Sequence, residues 1–212
     1  MIGLHQNMTT PAVRIAIGAA LVLLTITCGS NPASSTAFTN TLHTEVVDSA
    51  GDAVASLSVP NPPDLVHGTV DVVSGNITFT IQFARGTLDS QSTHLTIELD
   101  TDENVSTGIT GASGLGIDYV VDVWAARTNQ TLVQQAMPAT CSSGGACYVQ
   151  IGTESVSVGT DSLTTTVPLS MLGTASGRLN FRVFAYASPQ ATTPTVVADV
   201  MPDITLPPAH VS

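Results

Sequence analysis

The chain has 212 residues, and its five arginines and no lysine face 16 acids, for a net charge of −11. Phosphate backbones and anionic lipid surfaces carry the same sign and would repel it. Nucleic acid is therefore excluded as a partner, and a membrane is reachable only through a covalent anchor.

The first 28 residues read as an export signal. A polar leader with one cation, Arg14, precedes an apolar run from Ile15 to Ile26. That run is shorter than the roughly 20 apolar residues a membrane span needs and suits the core of a signal peptide. Thr25, Ile26, Thr27, Cys28 then resemble a bacterial lipoprotein cleavage box, with Cys28 as the lipidated residue, although Thr25 and Thr27 depart from its usual Leu and small residue. The competing reading is cleavage after Ser35, Thr36, Ala37, which leaves a free secreted chain. Residues 29–43, rich in Ser, Thr, Asn, Ala and Pro, suit a flexible tether.

From residue 44 the pattern is strand after strand, long enough in total for one domain with a core. Val66 to Val73 and Ile77 to Phe83 flank Ser74, Gly75, Asn76 and read as a hairpin. In the second of these, Ile77, Phe79, Ile81 and Phe83 alternate with polar residues. Leu95, Ile97 and Leu99 alternate next and lead into Asp100, Thr101, Asp102, Glu103, Asn104.

Oxygen ligands two residues apart at Asp100, Asp102 and Asn104 suit Ca²⁺, which takes six to eight of them. The spacing resembles the start of an EF-hand loop, but Val105 stands where that loop needs Gly and Gly111 where it needs a bidentate Glu. The remaining ligands are expected from carbonyls near Ser106 and Thr107 and from Asp118. The competing reading is a solvated acidic turn, since Asp and Asn favour turns by themselves.

Downstream, Ile117, Tyr119, Val121 and Val123 alternate with Asp118, Val120, Asp122 and Trp124. Further strands are expected around Thr131 to Gln135, Tyr148 to Ile151, Ser155 to Val158, Leu163 to Val167 and Leu179 to Tyr186. Cys141 and Cys147 flank a Ser- and Gly-rich segment and are expected to form a disulfide, leaving Cys28 for lipid. A two-Cys metal site is the other reading of the pair, disfavoured by the lack of a nearby His. Pro168 to Gly173 reads as a single helical turn, and residues 205–212 as a tail. With helix nearly absent, the class is all-β. The expected architecture is an antiparallel β-sandwich, jelly-roll or immunoglobulin-like, over residues 44–204.

The succession Asp48–Ala53, Pro63–Leu65, the Asp100–Gly108 loop, Gly116–Tyr119, Val167–Gly173 and Asp199–Asp203 resembles exported bacterial sandwich domains. Those domains are similar to family 9 carbohydrate-binding modules and the DOMON-like superfamily. The resemblance implies a calcium-bearing sandwich, often attached to secreted enzymes or standing alone. No second, enzymatic domain is expected within these 212 residues.

If the ends of the domain meet, Asp48, Asp52 and Asp64 would approach Asp199 and Asp203 and could form a second cation site, although solvated turn aspartates explain them as well. No metalloprotease, nucleophile-elbow or phosphate-loop motif occurs. Asp118 and Asp122 share a strand face, but a glycosidase needs two carboxylates across a cleft, so Asp118 reads as a ligand and Asp122 as a surface position. The nine aromatics are scarce, and sugar rings pack on exposed Trp and Tyr faces. Trp124, Arg182, Phe184 and Tyr186 would make a ligand platform if their strands lie side by side on an open face. The alternative is that this face packs into a core. The expected function is a non-catalytic, calcium-stabilised, extracytoplasmic binding or surface-structural module whose partner is a glycan or a surface protein. A carbohydrate-binding module is the alternative, and a glycan hydrolase the second.

Overall fold

The computed structural model describes residues 41–55, 61–124, 130–174, 176–187 and 196–212. The leader, Cys28 and tether residues 29–40 lie outside them. Among the described residues no helix is long and apolar enough to cross a membrane.

Among the described residues thirteen strands follow in chain order: β1 (Leu42–Val47), β2 (Leu65–Val73), β3 (Asn76–Phe83), β4 (Thr93–Asp100), β5 (Ile109–Thr110), β6 (Gly116–Ile117), β7 (Tyr119–Trp124), β8 (Gln130–Ala136), β9 (Tyr148–Val158), β10 (Ser162–Pro168), β11 (Leu179–Ala187), β12 (Val196–Met201) and β13 (Ala209–Val211). A short helix α1 (Pro138–Ser142) and a 3₁₀ turn (Leu169–Leu172) lie between strands. The main sheet runs β1-β2-β3-β10-β9-β8-β7-β4-β11-β12, with β13 also on β11, while β5 and β6 form a small ribbon. Every pairing is antiparallel. The expected all-β antiparallel class is what the chain adopts.

The sheet folds over along β9. Its first residues pair with β8, and Val156 to Val158 pair with β10 in the other layer. The two layers meet in one core, where Phe79 of β3 lies edge-to-face with Phe181 of β11 at a centroid distance of 6.2 Å. Period-two patterning explains the contact: Ile77, Phe79, Ile81 and Phe83 turn inward from β3, and Leu179, Phe181, Val183 and Ala185 from β11. The β2–β3 hairpin closes in two residues, Ser74 (φ 51°) and Gly75 (φ 79°). Two successive left-handed residues match the twist of the flanking strands.

Several expectations change. The segments Tyr148–Ile151 and Ser155–Val158 are one continuous strand, because β9 must reach both layers. The strand pattern starts at Leu42, inside the expected tether. Residues 205–212 are not a tail: β13 pairs with β11 and buries Val211 completely, and Thr44 Oγ1 donates to the His210 carbonyl at 3.1 Å. Three residues after a Pro pair are too few to show a period. Ile117 leaves the face it was expected to share with Tyr119, because the chain breaks at Asp118; it packs instead with Leu115 and Val120 in a separate small cluster. Cys141 and Cys147 form a disulfide with a Cα–Cα distance of 4.2 Å. It closes a short loop, and the chain-entropy model gives such a loop roughly 2 kcal/mol.

Candidate functional site

One carboxylate oxygen each from Asp100, Asp102 and Asp118 lie within 4.8 Å of one another. Asp100 ends β4 and is 2% exposed. Asp118 sits at the break between β6 and β7, where its backbone N–H donates to the Leu99 carbonyl at 2.9 Å and its side chain turns toward the loop. There Asp118 Oδ2 accepts from the Thr101 backbone N–H (2.9 Å) and hydroxyl (3.1 Å). Thr107 Oγ1 donates to both oxygens of Asp102. The fourth expected ligand, Asn104, continues the same turn. Its backbone N–H donates to Asp100 Oδ1 and Asp102 Oδ1, while its side-chain oxygen accepts from the Ser106 N–H at 3.1 Å. Asn104 thus shapes the turn around the carboxylates. Burial pushes the Asp100 carboxyl above the usual range, opposed by the Asn104 N–H and reinforced by Asp102 and Asp118.

Two glycines let the loop close. A side chain on Gly116 would stand 2.4 Å from the carbonyls of Asn104 and Thr107, and Gly108 holds φ 66° against the Ile117 carbonyl.

A second acidic group forms where the ends of the domain meet. Oxygens of Asp52, Asp64 and Asp199 lie within 4.8 Å of one another, as do those of Asp48, Asp52 and Asp203. Desolvation raises both Asp48 and Asp199 to about 6, with the Ser49 N–H opposing it at Asp48 and the Leu65 and Val200 N–H groups at Asp199. Neighbouring aspartates push each further up. These folded-state values exceed the ordinary unfolded value near 3.9, so the folded protein binds protons more readily than the unfolded chain between about pH 6 and 4. Stability in chelator should therefore rise as pH falls from 7 to 5. Asp100 and Glu98 shift in the same direction and add to the effect. A melting temperature several degrees higher at pH 5 than at pH 7 is expected, and a lower one would contradict the burial of these carboxyls.

The outward face of the β11-β4-β7-β8 layer carries a cleft of about 380 Å³, lined chiefly by His94, Glu98, Asp122, Trp124, Gln134, Tyr148 and Tyr186. Register builds it row by row. Tyr186 pairs with His94, and Leu95 with Val123, so the rings of Tyr186, His94 and Trp124 line up across three strands. His94 stacks on Trp124 at 3.8 Å and on Tyr186 at 5.4 Å. In the next row Asp122 accepts from His94 Nε2 (3.2 Å), Thr96 Oγ1 (2.9 Å) and the Gln134 amide. Glu98 follows, pushed above the usual carboxyl range by burial and Asp122, with Arg182 opposing.

Of the four expected platform residues, Trp124 and Tyr186 line this cleft. Arg182 and Phe184 do not. Arg182 is 1% exposed, its guanidinium donating to the carbonyls of Asp203 (3.1 Å) and Leu206 (2.6 Å). Residues 203–206 cover that end of the face, and Phe184 is 9% exposed. His94, Glu98, Gln134 and Tyr148 were not visible in the sequence. The outward alternation His94, Thr96, Glu98 is the signal that could have found some of them, but only the register of β4 with β7 brings them to Trp124.

Comparison of the sequence with protein-family models gives no match, and comparison with curated proteins gives none. The likeness to family 9 modules and the DOMON-like superfamily thus rests on the order of the short motifs alone. A pocket of about 260 Å³, lined by Asp102, Asp118, Gln135 and Pro138 among others, opens beside the acidic loop. Hard-cation chemistry suits that end of the face and hydroxyl recognition suits the cleft, where acceptors stand beside aromatic rings.

Proposed function

We propose that this chain is an exported, non-catalytic binding module, in which calcium at Asp100, Asp102 and Asp118 fixes the loop bordering the ligand-binding layer. The observation that carries the reading is the cleft around Trp124: an aromatic row beside Asp122, Glu98 and Gln134 on the outer face of a rigid sheet. Rings cover the apolar faces of a sugar while carboxylates and amides take its hydroxyls, so a saccharide is the ligand class favoured. A hydrolase is the weaker reading, because Asp122 is engaged by three donors that hold it as a fixed acceptor rather than a free acid or base.

Trp124 is the sole tryptophan, so its emission reports the cleft directly. Saturable change in emission with members of an oligosaccharide panel is expected. An unchanged spectrum across the panel would tell against the reading. The hydrophobic leader and Cys28 support export with a lipid anchor. Cys28→Ser should then move the protein from the membrane fraction to the soluble one, and a wild-type protein already soluble would remove the anchor.

A further inference from the structure

We propose that the five aspartates at the meeting of the chain's two ends hold a second divalent cation, centred on Asp52, Asp64 and Asp199 and flanked by Asp48 and Asp203. Clustering alone would not support this, since acids crowd together in solvated turns. Burial does. Asp64 is 6% exposed, its Oδ2 accepts from the Gly51 N–H at 2.8 Å, and its Oδ1 is fully buried without a hydrogen-bond partner. Asp48 Oδ2 is buried and unpartnered in the same way.

A carboxylate oxygen removed from water with no donor is costly, and a cation is the partner that would supply what the protein does not. No side-chain ion pair engages any of the five among the described residues. Their ligand atoms are all oxygen, with no His or Cys in either group, which selects a hard cation such as Ca²⁺ over zinc or copper. Space exists for it. A pocket of about 170 Å³, lined by Asp52, Asp199 and Asp203 with Val54, Val197 and Ile204, opens at the cluster.

The ligands come from segments far apart in sequence. Asp48 and Asp52 follow β1, Asp64 precedes β2, Asp199 lies in β12 and Asp203 just beyond it. Asp199 Oδ2 already accepts from the Leu65 N–H at 2.6 Å, and the Val54 N–H donates to the Ala198 carbonyl at 2.8 Å. A cation here would clasp the two ends of the domain together, at a place separate from the Asp100 loop.

Calorimetric titration of calcium into the chelator-stripped full-length protein tests this, with Asp52→Asn, Asp203→Asn, Asp102→Asn and the Asp52→Asn/Asp102→Asn double variant alongside. Asp52 and Asp203 are exposed, so their variants should keep the near-ultraviolet dichroism of the wild type. The expected result is two calcium ions on the wild type, one on Asp102→Asn, one on Asp52→Asn with Asp203→Asn at least tenfold weaker, and none on the double variant. One ion on the wild type that Asp102→Asn abolishes and Asp52→Asn leaves unchanged would overturn the clasp while sparing the loop. One ion abolished by Asp52→Asn and kept by Asp102→Asn would support the clasp and remove the loop site. No binding to the wild type at millimolar calcium would overturn both.

Discussion

Phe181→Ala should destabilise the protein by about 3–5 kcal/mol, the largest single effect expected of any one substitution. Phe181 is fully buried on β11 and reaches across the sandwich to Phe79 on β3, so its ring is shared by both layers. Deleting it removes the apolar burial of a whole ring and leaves a cavity that neighbours on two rigid sheets cannot fill. Against a typical total of 5–15 kcal/mol, that is a large fraction. In a domain of this size a melting temperature lower by roughly 10 °C follows, at about 2–4 °C per kcal/mol. Scanning calorimetry checks it, and a loss under about 1 kcal/mol would mean that the layers do not pack on each other through this pair.

Calcium removal should give the second large effect. Three carboxylates within 4.8 Å repel one another when ionised and unscreened by a cation, so the loop from Asp100 to Gly108 should loosen without metal. Calcium at 100 times its dissociation constant adds about 2.7 kcal/mol to the folded state. Chelator should therefore lower the wild-type melting temperature by several degrees. Asp102→Ala should melt low even in calcium and lose a smaller increment on chelation, since its own share is already gone. A wild-type melting temperature unchanged by chelator, with Asp102→Ala lower by the same amount in both conditions, would show the loop to be only a turn held by the hydrogen bonds that Thr107 and the Asn104 N–H donate to Asp102.

How far the sequence reveals this depends on the range of each signal. Period-two alternation is local, so β3, β4 and the inward residues of β11 could be read directly, as could the Ser74–Gly75 turn. The convergence of Asp100, Asp102 and Asp118 is legible because two of the carboxylates are local and the third stands immediately before the next long strand. Other features depend on partners distant in the chain. Arg182 shares the outward alternation of Phe184 and Tyr186, and nothing near it announces that residues 203–206 fold back to take its guanidinium. The joining of two expected strands into β9 is set by the fold-over of the sheet, a property of the whole domain. His94 gives no sequence signal of its ring stack, because Trp124 and Tyr186 lie on two different neighbouring strands.

The proposed saccharide binding is tested most directly by equilibrium binding of an oligosaccharide panel to the protein in calcium and to Trp124→Ala, with released reducing ends assayed in the same samples. Saturable binding by the wild type, at least tenfold weaker binding by an equally folded Trp124→Ala, and no new reducing ends are expected. Absence of binding across the panel, equal binding by the variant, or reducing ends that accumulate with time would contradict it.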